Sequence, residues 1–169
     1  VAFGPRRQGL PEDEVERRVA GALERAGLPP ASFASRSPLS LSAGEKRRAA
    51  IACILALARP FLLLDEPTAG LDPLTRARIA ELVVSEVSAG RGVVVVTHDL
   101  EFAEGCAGRW ALMSEGTVIA GGTPEAVMAD TGALHRAGLE ATRMVMASFR
   151  SMDAGGVPVD MEEVPDARL

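Results

Sequence analysis

The chain is 169 residues long and 47% apolar, enough for one soluble globular domain with its own core. Its formal net charge of −5 argues against a nucleic-acid partner, whose phosphates are normally met by clustered basic surface. The longest uncharged apolar stretch near the centre, residues 49–58, stops at Arg59-Pro60 and falls well short of a bilayer span.

The first residues, Val-Ala-Phe-Gly-Pro, carry no initiator methionine, basic n-region or apolar h-region. No signal peptide is visible, and the start reads as a point inside a longer sequence. Residues 11–26 are predicted to form an amphipathic helix: acids fill the first turn, Val15, Val19, Ala22, Leu23 and Ala26 share a face, and Gly27 is the stop. Residues 28–40, rich in proline and serine, read as an irregular connector. Ser42 opens a helix expected to run to about Ala58 before Arg59-Pro60.

Residues 61–64 are an apolar run of the kind expected for a strand buried on both faces. Asp72-Pro73 is a cap followed by a first-turn proline, predicting a helix to about Ser88. Residues 93–97 are an unbroken β-branched strand. Strand, helix and strand make a βαβ unit, which requires parallel strands and a right-handed crossover. The C-terminal ends of the two strands, bearing Asp65-Glu66 and His98, then share one edge of the sheet. Beyond them, the pattern predicts a short helix over 99–107, a hairpin turning at Glu115-Gly116, helices over 124–130 and 133–150, and a loose acidic tail from Ser151. Cys53 and Cys106 lack C-x-x-C spacing and read as buried thiols of a reducing compartment.

Three short segments could carry chemistry, and each has a plainer reading. Ser42-Ala43-Gly44-Glu45 has the S-x-x-E form of a capping box. The same helix start, with a glycine in its first turn, also offers unpaired amides and partial positive charge to phosphate oxygens. Asp65-Glu66 could merely cap a strand end, yet adjacent carboxylates there are better tolerated beside a cation and a reacting water. His98 alone would read as structural, but a parallel strand places it beside Glu66, where a γ-phosphate and attacking water would meet. His135 reads as a surface residue, and Phe3, Phe33, Phe102 and Trp110 as packing residues. A phosphate-cradling G-x-x-x-x-G-K-[ST] loop is excluded, because Lys46 is the sole lysine and does not follow a glycine.

L-S-A-G-E-K-R-R, L-L-L-D-E-P-T, A-G-L-D and T-H-D, in that order, resemble the nucleotide-binding subunit of an ABC transporter over roughly residues 1–125. The resemblance matches residues 41–45 to the family's signature, 61–66 to the Walker B strand, 69–72 to the D-loop and His98 to the switch histidine. It implies an α/β fold: part of a P-loop NTPase (RecA-like) parallel sheet with part of the ABC α-helical subdomain. The expected division is 1–43 in the helical subdomain, 44–125 in the α/β core, and 126–169 as C-terminal helices and tail.

By the same resemblance, Ser42, Ala43, Gly44 and Glu45 would contact ATP held on the opposite subunit of a dimer. Glu66 would be the catalytic base, Asp65 would belong to the Mg²⁺ shell, His98 would meet the γ-phosphate, and Asp72 would communicate across the dimer. Ala43 stands where the family usually has glycine, a strain only if that backbone needs positive φ. The family's P-loop and Q-loop lie before this start, and Gln8 comes too late to be the Q-loop glutamine.

Val-Ala-Phe-Gly-Pro, Gly9-Leu10 and the Glu-rich helix look like ATPases of energy-coupling-factor importers of vitamins, cobalt or nickel, although Arg7 and Gln8 replace the usual Asn and Leu. The implied partners are a second ATPase subunit, identical or not, a transmembrane coupling subunit and a substrate-binding membrane subunit, at the cytoplasmic membrane face. One rival is an ABC ATPase of DNA repair or chromosome maintenance. Such proteins carry long coiled coils between their halves and usually lack the Pro67-Thr68 pair. Another is a non-hydrolysing regulatory partner, consistent with the missing lysine loop.

Overall fold

The expected βαβ unit organises the computed structural model, which describes residues 1–139. In chain order the elements are helices α1 (Phe3–Arg7), α2 (Glu12–Arg25), α3 (Pro30–Phe33) and α4 (Ala43–Leu55), strand β1 (Phe61–Asp65), helix α5 (Pro73–Ser88) and strand β2 (Gly92–Val96). Helix α6 (Leu100–Cys106), strands β3 (Trp110–Ser114) and β4 (Thr117–Gly122), and helices α7 (Pro124–Ala129) and α8 (Thr131–Arg136) follow. Most expected boundaries hold to within a few residues. The expected helix over 133–150 ends as α8 at Arg136 within the described region. Its remainder and the tail lie outside the described residues.

β1 and β2 are adjacent and parallel, with Phe61 opposite Gly92 and Asp65 opposite Val96. The chain must therefore cross over through α5, which packs beside β2 and against α6. β3 and β4 form a separate antiparallel hairpin with an irregularity between Leu112 and Met113. Gly27, at φ +66, lets α2 end in a tight turn closed by Leu28 N donating to Leu23 O at 2.9 Å.

Two apolar clusters hold these elements. The larger gathers Leu23 and Leu28 with Ile51 and Leu55 of α4, Leu62 and Leu64 of β1, Ile79 of α5 and Phe102 of α6. The smaller joins Leu112 of the hairpin to Val127, Met128, Ala133 and Leu134. A buried carboxylate, Glu86 at 2% exposure, is bonded to Arg91 at 2.6 Å and paired with Arg25 at 3.2 Å. It ties the end of α5 to α2.

Several expectations are corrected. The strands are buried on one face only: Leu62 and Leu64 are 3% and 5% exposed, whereas Phe61 and Leu63 are 74% and 66% exposed. Val94 and Val96 line the same open face. Side chains alternate along a strand, and no layer of the described residues covers the second side. Cys53 is exposed, because α4 turns Ile51, Ala52 and Leu55 inward instead. Cys106 is half-buried, and burial pushes its thiol up to about 11.

Phe3 is exposed, with the Arg7 guanidinium over its ring at 5.8 Å. Phe102 and Trp110 do pack. α4 ends at Leu55, before Ala58, which adopts φ 51. α1, α3 and a short 3-10 turn at Pro38–Ser40 form where no regular element was expected. α1 is tethered by tertiary contact, Gln8 Nε2 donating to Leu57 O at 3.2 Å.

Candidate functional site

β1 delivers Asp65 and Glu66 to the same sheet edge at which β2 delivers Thr97 and His98, because the strands are parallel and in register. Glu66 N donates to Val96 O at 2.8 Å, extending the ladder by one bond. The chain then turns sharply: Glu66 has φ 43, a left-handed conformation that a non-glycine residue adopts only when its surroundings hold it there. What holds it is the 97–99 turn. His98 N donates to Glu66 Oε1 at 3.1 Å, and His98 Nδ1 lies 2.7 Å from the same oxygen. Thr97 Oγ1 donates to Oε2 across a longer 3.4 Å.

The carboxylate accepts, so Nδ1 carries the proton and Nε2 remains free to face an incoming group. Glu66 holds the His98 imidazole above its ordinary pKa, first through the hydrogen bond and then through its charge, with Asp99 adding a smaller effect. The protonated ring offers an Nε2–H donor to an anionic oxygen. Meanwhile Oε2 is the less engaged oxygen of Glu66, and so the one open to a proton from water.

A second group of motif residues meets at the first turn of α5. Ser42 caps α4 by accepting from Glu45 N at 3.2 Å, while Glu45 Oε2 accepts from Ser42 N at 2.7 Å. The plain capping-box reading is thus correct, and the backbone bond from Ser42 lowers the Glu45 carboxyl below its usual range. The cap leaves the amides of Ala43 and Gly44 without intrahelical partners. Ala43 is the first helical residue and shows no positive φ, so its methyl strains nothing. Gly44 faces Thr75: a Cβ there would stand 3.3 Å from both Thr75 Cγ2 and Oγ1. Asp72 uses both carboxylate oxygens on that residue, accepting from Thr75 N at 3.0 Å and Thr75 Oγ1 at 2.7 Å. These bonds lower the Asp72 carboxyl below its usual range.

Asp65 is exposed and makes no side-chain hydrogen bond or ion pair among the described residues. A free carboxylate oxygen at a sheet edge suits a hard, hydrated cation, although no cluster of three or more ligating side chains forms among the described residues. Any such ion would complete its shell with water and phosphate oxygens. The structure therefore brings Glu66 with His98, and Gly44 with Asp72 through Thr75. It does not place His135 near either group, and that residue is exposed.

Sequence reasoning missed Thr97, Thr75 and Arg76. Thr97 could have been read from its place before His98; Arg76 carried no local signal.

The comparisons with known proteins agree. A family described as "AAA domain, putative AbiEii toxin, Type IV TA system" matches residues 30–104. The energy-coupling factor transporter ATP-binding protein EcfA of Methanothermobacter thermautotrophicus is 43% identical over 143 residues, 85% of this chain and 45% of that protein. EcfA2 of Symbiobacterium thermophilum is 42% identical over 168 residues, 99% of this chain and 58% of that protein. The chain spans about half the length of these curated relatives.

Among solved structures, cbiO1 from Clostridium perfringens, described as part of the ABC transporter complex cbiONQ, matches with TM-score 0.67 and 35% identity, over 88% of this chain and 59% of that one. An ATP-binding cassette solved as a dimer in a post-hydrolysis state with ADP and Pi matches with TM-score 0.59 and 34% identity, over 68% of this chain and 49% of that one. No helix among the described residues is long and apolar enough to cross a membrane. With its motifs in order, its strand ends aligned and these relatives, the chain is similar to the ATP-binding cassettes of ABC transporters, the energy-coupling factor ATPases among them.

Proposed function

We propose that this chain supplies the hydrolytic carboxylate, the switch histidine and the signature helix of an ATPase subunit that powers micronutrient uptake, of a metal ion or vitamin, through an energy-coupling factor importer. The observation that carries the reading is Glu66, held in left-handed backbone with Oε1 clasped by His98 and Oε2 engaged only by the longer bond from Thr97. Glu66 takes a proton from, or polarises, the attacking water, and the protonated His98 meets developing charge through Nε2. Mg²⁺, when bound, neutralises phosphate charge, and Asp65 is the residue that would hold its hydration shell. Ser42, Ala43 and Gly44 present their helix start to the nucleotide of a partner subunit, as Asp72 fixes the neighbouring turn. The partner subunits are a second ATPase and membrane subunits, with this chain peripheral on the cytoplasmic face.

Lacking a G-x-x-x-x-G-K segment, residues 1–169 by themselves are expected to hydrolyse no ATP. The complete gene product that carries them is expected to turn over Mg²⁺-ATP, and His98→Ala should reduce that turnover about 10²-fold or more. Undiminished turnover in His98→Ala, or Mg²⁺-dependent turnover by residues 1–169 alone, would overturn the reading.

A further inference from the structure

We propose that Arg76, through its ion pair with Asp99, is a positioning residue that holds the 97–99 turn, and with it the His98 imidazole, against Glu66. The inference rests on the reading of Glu66 and His98 as the hydrolytic pair. The His98 side chain is 76% exposed, so no surrounding packing fixes its ring. Its orientation depends on the backbone of its own turn and on the Glu66 carboxylate.

Besides its bonds to Glu66, that turn is tied at three further points. Asp99 N donates to Thr97 Oγ1 at 3.1 Å, which closes the turn on itself. Asp99 Oδ1 accepts from Phe102 N at 3.1 Å, which caps α6. Asp99 Oδ2 accepts from Arg76 Nη1 at 2.9 Å, and this alone ties the Asp99 side chain to α5. Without Arg76 the side chain would be anchored only within the segment it begins.

Two features set the pair apart from a solvated surface bridge. Arg76 and Asp99 are 34% and 20% exposed, and Arg76 Nε is buried with no partner among the described residues. An unpaired buried donor costs free energy, so the guanidinium is held in place at a local penalty. Arg76 also lies in the first turn of α5, where a cation opposes the helix dipole; helix stability does not call for it there. Its own amide donates to Asp72 O at 3.0 Å. The brace therefore joins the turn carrying His98 to the turn carrying Asp72.

The test compares Arg76→Met, Arg76→Lys and Asp99→Asn in the complete gene product and in residues 1–169. Asp99→Asn keeps the Oδ1 acceptor that caps α6 while removing the charge that Arg76 pairs with. In residues 1–169, NMR follows the His98 Nδ1–H resonance, with the amide spectrum as a check on folding; no nucleotide is needed. The hydrogen-bonded Nδ1–H signal should be lost in Arg76→Met and Asp99→Asn and largely kept in Arg76→Lys. ATP turnover by the complete product should fall at least about tenfold in the first two variants, with KM little changed. The double variant Arg76→Met/Asp99→Asn should be no worse than either single change. A native Nδ1–H signal in folded Arg76→Met and Asp99→Asn would overturn the proposal, as would reduced turnover with that signal intact. Should Arg76→Met fail to fold, Asp99→Asn decides alone. If instead His98→Ala keeps full turnover, the hydrolytic reading fails while the resonance still tests the brace.

Discussion

Glu66, at the end of β1, is held from β2 and the turn after it: its amide by Val96 and its carboxylate by His98. The backbone strain at φ 43 is thus offset by bonds that exist only because β1 and β2 are neighbours. Imidazole NMR should find His98 titrating above its ordinary value of 6.5, with Glu66→Gln returning it towards that value. Because the folded pKa is raised, the stabilising contribution is fully present below the unfolded value. It is lost as pH rises through the raised one. A His98 value unmoved by Glu66→Gln would contradict the contact. Ser42, Glu45, Asp65, Glu66, Asp72 and His98 were legible because each stands in a local motif at an element end. Arg76 was not, since its partner Asp99 lies 23 residues away and only the packing of α5 on α6 brings them together.

Helix and strand starts were the most readable parts of the chain, as the caps at Ser42, Asp72 and Asp99 show. Ends were less so. α4 stops early because Leu57 and Ala58 turn back on Ile54 and Leu55, leaving Ala58 at φ 51. Ala58→Gly should therefore raise stability by about 1 kcal/mol in urea unfolding, since glycine takes that conformation without a Cβ clash. A loss of stability would contradict it. In β1 the apolar run concealed an alternation that four leucine-like residues cannot display. For residues 1–169, Leu64→Ala should cost about 3 kcal/mol, whereas Leu63→Ala on the open face should cost less than about 1 kcal/mol. Equal costs would mean that both faces are covered.

Across the whole molecule, hydrophobic pattern located the elements but not which faces met, so the open side of the parallel pair and the burial of Glu86 became visible only in three dimensions. Glu86 sits on a helix whose polar residues otherwise look solvent-facing, and its two arginines arrive from α2 and from the turn before β2. Arg91→Ala should destabilise the fold by roughly 2–4 kcal/mol in denaturant unfolding, because it strips a buried carboxylate of the nearer of these two cations. The cassette assignment, by contrast, was fully legible, as four ordered motifs carry it without any tertiary information.

The function reading turns on whether Glu66 performs the hydrolytic step. Its most direct measurement is single-turnover ATP hydrolysis by the complete gene product and its Glu66→Gln variant, with nucleotide binding measured in parallel. Glu66→Gln is expected to bind ATP still but to hydrolyse it at least about 10²-fold more slowly. Hydrolysis by Glu66→Gln at the unsubstituted rate would contradict it.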